Sequence, residues 1–130
     1  MTSTGDGVSA LRVVVADDEA DVCLMLRIQL GSQPGIDVVG AAADGAEALE
    51  LCRRLQPDAV VMDLLMPVMN GFQAIESLQH ELPGVAIVAY TGVAGEFVRH
   101  EMERMRVPLV LKSGDIGPLA TAVRRAATTR

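Results

Sequence analysis

Aromatic side chains are nearly missing from this 130-residue chain: Phe72, Phe97 and Tyr90 are the only three, and there is no tryptophan. A platform that stacks the bases of single-stranded nucleic acid needs several rings, so that class is excluded. Cysteine is as scarce. Cys23 and Cys52 are too few and too widely spaced for a disulfide scaffold or a cysteine-ligated zinc site. Positive charge is also in short supply. Eleven Lys plus Arg stand against 17 Asp plus Glu, a formal net charge of −6, the wrong sign for a domain that binds nucleic acid by releasing counterions. No run approaches the ~18 apolar residues of a membrane span. The start, Met1-Thr2-Ser3-Thr4-Gly5-Asp6, lacks the basic and apolar regions of a secretory signal. These absences predict a cytoplasmic, reduced, single domain that touches neither membrane nor nucleic acid directly.

What is present is apolar and regularly patterned, with half the residues hydrophobic. Residues 1–10 are small and polar and read as a disordered leader, leaving one domain over 11–128. Short apolar runs at Leu11–Ala16, Ile36–Ala41, Ala59–Met62, Val85–Tyr90 and Val107–Leu111 read as strands. Between them lie stretches of helical period. The first, Glu19 to about Gln33, places Val22, Met25, Leu26 and Leu30 on one face and breaks at Pro34-Gly35. The second opens at Asp44, with Glu47 three residues on, a capping-box signature, and carries Ala48, Leu49, Cys52 and Leu55. A third spans Gly71 to about Leu82. The fourth, Gly95 to Met105, is expected to turn Phe97, Val98, Met102 and Met105 inward. Pro118 opens the last. Strands that are apolar throughout are buried on both faces, and strict alternation with helices implies a parallel sheet covered on both sides. The fold predicted is an α/β doubly wound, five-stranded sheet of order 2-1-3-4-5.

The polar residues fall at strand ends. Asp17-Asp18-Glu19 follow the first strand, Asp63 the third, Thr91 the fourth and Lys112 the fifth. In a parallel sheet these ends share one edge, and in that strand order the first and third strands are neighbours at the switch point. Asp17, Asp18 and Asp63 should therefore lie within a few ångströms of one another, flanked by Thr91 and Lys112. Three carboxylates so close repel one another unless a cation joins them, and an all-oxygen set selects a hard ion such as Mg2+. Lys112 can pair with an oxyanion and Thr91 offers a hydroxyl, so the set suits transfer of a phosphoryl group to an aspartate.

Over residues 11 to about 127 the chain resembles the receiver domain of two-component response regulators. The matching segments are Val15-Ala16-Asp17-Asp18-Glu19, Met62 through Gly71, Tyr90-Thr91-Gly92 and Leu111-Lys112. The most specific is Asp63 followed by Pro67 four residues on and Gly71 eight on. The resemblance implies that Asp63 accepts a phosphoryl group from a histidine kinase or a histidine phosphotransfer protein. It implies that Asp18 is the main Mg2+ ligand with Asp63 and the Leu65 carbonyl, and that Asp17 acts through water. Lys112 would pair with the phosphoryl group and Thr91 would move toward it. The partner on the output side would be a downstream effector or an output domain. No output domain is expected within these residues, and a homodimer is among the assemblies left open.

Two departures stand out. Where the family usually has an aromatic residue three before the Lys, this chain has Leu109, with Tyr90 next to Thr91 as a candidate replacement. Lys112 precedes Ser113 rather than Pro. Other readings are weighed against the receiver. A haloacid dehalogenase-like phosphatase would want an acid two residues after Asp63, where Leu65 sits. A flavodoxin-like nucleotide binder would want a glycine- or hydroxyl-rich loop after the first strand. A pseudo-receiver that only mediates contacts would not need the complete acidic and Lys set. Neither His80 nor His100 has metal-ligand spacing.

Overall fold

A computed structural model describes residues 10–92 and 94–129. The expected leader lies, except for Ala10, outside the described residues. Five strands and five helices alternate: β1 (Leu11–Ala16), α1 (Ala20–Gln29), β2 (Ile36–Ala42), α2 (Gly45–Leu55), β3 (Ala59–Met62), α3 (Gly71–Glu81), β4 (Ala86–Thr91), α4 (Glu96–Met105), β5 (Leu109–Leu111) and α5 (Gly117–Thr129). All strand pairs are parallel and the order is β2-β1-β3-β4-β5. The expected α/β sheet is therefore observed.

Alternation along the strands divides the core in two. Val14, Ala16, Val60, Met62, Ile87 and Ala89 face α2, α3 and α4, where they meet Leu49, Cys52, Ile75, Leu78 and Met102. Val13, Val15, Val61, Val88 and Tyr90 face α1 and α5, where they meet Leu26, Leu30, Leu119 and Val123. Both faces of each central strand are covered, which is why these strands carry no polar alternation.

Element ends follow local chemistry. Asp44 caps α2, its side chain accepting from Glu47 N–H at 2.8 Å, while Glu47 Oε1 accepts from Ala43 N–H, one residue before the capping-box position. Asn70 and Gln73 form a full capping box at α3, a signal present in the sequence at the three-residue spacing. Helix α1 stops at Gln29, earlier than expected, because residues 30–33 leave the regular helical bonding, with Gly31 N–H reaching Leu26 C=O and Gln33 N–H reaching Leu30 C=O, ahead of Pro34. Strand β5 is only Leu109–Leu111. Arg106 takes a left-handed conformation (φ 60°) and Val107 N–H returns to Met102 C=O at 2.8 Å, so Val107 closes α4.

One core expectation is corrected. Phe97 is 70% exposed, not inward. The buried line of α4 runs through Val98 and Met102, and a residue one position away is rotated ~100° off it. Phe97 lies against Phe72 in a tilted ring pair, with centroids 6.2 Å apart and planes at 52°.

Candidate functional site

The sheet continues its hydrogen bonding just past the strand ends, and this fixes the polar residues. Asp17 N–H donates to Ala42 C=O, Asp63 N–H to Ala16 C=O and Lys112 N–H to Thr91 C=O, each at 3.0 Å. Four of the expected site residues are thereby tied to one rim. Asp17, Asp18 and Asp63 each bring a carboxylate oxygen within 4.8 Å of the others. Asp17 and Asp63 are buried and Asp18 is exposed, so the group has an open side. Thr91 is buried at the end of β4, and Leu65 N–H lies 3.5 Å from Asp63 Oδ1. The Leu65 side chain is exposed.

Lys112 sits otherwise than a lysine reserved for a phosphoryl group. Its ammonium donates to Asp17 Oδ2 at 2.6 Å and lies 3.5 Å from Asp63 Oδ2, while Asp17 Oδ1 accepts from Glu19 N–H at 2.9 Å. Both oxygens of the buried Asp17 are therefore satisfied within the chain. Burial works against the Lys112 charge, but the Asp17 hydrogen bond and the Asp63 charge outweigh it and raise its pKa. Burial pushes the Asp63 carboxyl up, and the Asp17 charge adds to this. Lys112 offsets only part of the rise.

Close backbone packing holds the loop after Asp63. A Cβ on Gly71 would stand 2.1 Å from Asp63 C=O, and one on Gly45 would stand 2.2 Å from Met69 C=O. Gly71 N–H bonds to Leu64 C=O at 3.0 Å and Gly45 N–H to Met69 C=O at 2.8 Å. The starts of α2 and α3 therefore clasp residues 63–71 from two sides. Gly45 and the Lys112–Asp17 pair are site features the sequence reading did not assign. The second joins residues 95 apart in sequence, beyond the reach of any local pattern.

The donor set fits Mg2+. It is all oxygen, and it combines two buried carboxylates with one that faces water, with burial and the Asp17 charge raising the Asp63 pKa. A cavity of about 330 Å3 opens beside it, lined by Asp17, Asp18, Cys23, Leu24, Arg27 and Glu47 among others. The larger cleft, about 770 Å3, runs past Pro83, Ile87 and Pro108 at the opposite edge of the sheet and has no carboxylate in its lining. Of the two, only the first is lined by residues of the acidic group, Asp17 and Asp18.

Comparison with known proteins settles the family. The profile of the response regulator receiver domain matches residues 13–124. The chain belongs to the response regulator receiver family. This receiver domain is 37% identical over 120 residues to a protein-glutamate methylesterase/protein-glutamine glutaminase from Myxococcus xanthus, covering 91% of this chain and 33% of that protein. It is 33% identical over 117 residues to the transcriptional regulatory protein LiaR from Bacillus subtilis, covering 89% of this chain and 56% of LiaR. Against those two curated relatives it spans about a third and about half of their length. Among solved structures, the response regulator domain of Thermotoga maritima CheB superposes with a TM-score of 0.85 at 28% identity, over 93% of this chain and 98% of that one. A LuxR-family response regulator from Aurantimonas gives 0.86 at 30% identity, over 94% and 88%. Among the described residues no helix is long and apolar enough to cross a membrane.

Proposed function

We propose that this receiver is a phosphorylation switch in which Asp63 accepts a phosphoryl group from a phosphohistidine on a histidine kinase or phosphotransfer protein. The observation that carries this reading is the meeting of Asp17, Asp18, Asp63 and Lys112 at one rim. An Asp63 carboxylate oxygen attacks phosphorus, the P–N bond to the donor imidazole breaks, and the imidazole leaves with the bonding electrons. Mg2+ bound by Asp18, Asp63, the Leu65 carbonyl and, through water, Asp17 would supply neutralisation of charge on the phosphoryl oxygens. Lys112 turns from Asp17 toward the incoming oxyanion, and the Thr91 hydroxyl donates to an oxygen of the product. An Asp beside Lys in a crevice closed to bulk water on the sheet side favours transfer to the carboxylate over loss to solvent.

The same residues argue against an external phosphatase. The position two after Asp63, where a second acid would serve, is the exposed apolar Leu65. The lengths of the relatives support a role as the receiver part of a longer regulator, with the effector or output domain as the partner that reads its state.

Incubation with acetyl phosphate and Mg2+ tests the reading by intact mass. Wild type should gain one phosphoryl group, lost on chelation of the metal before mixing, and Asp63→Asn should gain none. Equal gain by Asp63→Asn, or none by wild type, would overturn it.

A further inference from the structure

Lys112 is the side chain that a phosphoryl group on Asp63 would disturb first. Its ammonium is shared unevenly, 2.6 Å from Asp17 and 3.5 Å from Asp63. An acyl phosphate replaces one carboxylate charge by a group of greater charge on the Asp63 side, and a compact ammonium follows the stronger field. The backbone of Lys112 is tied to β4 by its N–H bond to Thr91 C=O, and residues 113–116 lead directly from it into α5, so a pull on the ammonium is exerted on a strand end that joins Thr91 to that connection. That connection is short and held at its far end. Gly114 is left-handed (φ 84°), and Asp115 Oδ1 accepts from Gly117 N–H at 2.9 Å at the start of α5.

Tyr90 belongs to the apolar cluster under this connection. It is 3% exposed and shares the α1/α5 face with Leu119, Ala120 and Val123, with Val110 and Ile116 packed against them. It pairs in register with Val110, two residues before Lys112. It also directly precedes Thr91, whose C=O accepts from Lys112 N–H, so its ring lies between the rim and the α5 cluster. Leu109 faces the other way, into the α2–α4 cluster, and α4 fully buries only Met102. Tyr90 therefore does not replace a ring at 109. It stands on the opposite side of the sheet.

We propose that the ring of Tyr90, next to Thr91 and paired with Val110 ahead of Lys112, is the positioning residue that passes the state of Asp63 to the 113–116 connection and α5, so that the signal leaves on the α1/α5 face and not through α4. This rests on Asp63 being the phosphoacceptor. Tyr90 is the one tyrosine of a chain without tryptophan, so ultraviolet emission reports on it alone. The 130-residue chain, with Mg2+ and acetyl phosphate, is followed by intact mass, tyrosine emission and amide hydrogen exchange. Emission should change in proportion to the phosphorylated fraction. Exchange should change several-fold across 113–120 and stay constant across 96–105. Emission alone could register the new charge, so two variants separate a positioning role from a bystander. Tyr90→Leu should still gain the phosphoryl mass and lose the exchange response, and Tyr90→Phe should restore it. A phosphorylated wild type that responds across 96–105 and not 113–120 overturns the proposal, as does a Tyr90→Leu variant that responds like wild type. If Tyr90→Leu fails to fold, the wild-type exchange map decides by itself. No mass gain in wild type overturns the phosphoacceptor reading instead, and this proposal with it.

Discussion

Asp17 is buried, and the Lys112 ammonium pairs with it at 2.6 Å. Lys112→Ala leaves that carboxylate with only the Glu19 N–H, so the folded state should lose about 1–3 kcal/mol in urea unfolding. Asp63 behaves oppositely. Its pKa is raised in the fold above the ordinary Asp value of 3.8, so its contribution to stability is complete below that value and is lost as pH rises through the folded-state value. Asp63→Asn removes this loss. Without divalent metal, the variant should be more stable than wild type at pH 7 in urea unfolding, and the gap should narrow as pH falls toward 4. Cys52 sets an alkaline limit in the same way. Burial lifts its thiol to about 12, so the fold should lose stability as pH rises from 9 toward that value, and Cys52→Ala should lack this part of the decline in pH-dependent melting. Of these residues, the acids, Thr91 and Lys112 were legible in the sequence because each ends an apolar run. The pairing of Lys112 with Asp17 was not, because the long lysine side chain reaches it from the end of β5 past β4 and β3, strands that no local pattern relates to β1.

Element ends show where sequence patterns run out. β1 and β3 were readable to the residue, since apolar side chains on both faces leave no competing period. β5 was not. Val107 continues the apolar run, yet it completes the α4 cap, and Pro108 contributes only its carbonyl, which accepts from Ala89 N–H at 2.9 Å. Phe97 misled for a related reason, since in a helix held by few buried residues a hydrophobic side chain is weak evidence of direction. Gly71 was legible as part of a spacing, but its physical cause is the close approach of α3 to Asp63. Gly71→Ala forces a Cβ against backbone that cannot step aside, so it should cost about 1–3 kcal/mol in unfolding and slow phosphorylation by acetyl phosphate.

Across the whole molecule, the fold gathers negative charge at one edge of the sheet in a chain that already carries −6. A cation that binds only the folded form must then stabilise it by mass action. Mg2+ at a hundredfold excess over its dissociation constant should add about 2.7 kcal/mol, seen as a higher melting temperature in calorimetry. The rise should be much smaller in Asp18→Ala. Strand order and the two-sided core were readable from the alternation of elements, because few topologies cover a parallel sheet on both faces.

Gly45 and Gly71 grip residues 63–71 from both flanks with no space for a methyl group. That segment therefore has a fixed length. An extra residue inserted there would unseat two helices at once, whereas one inserted at 113–116 would strain a single connection. In a library of single-residue insertions, the loop that bears Asp63 should be the most intolerant of the rim loops.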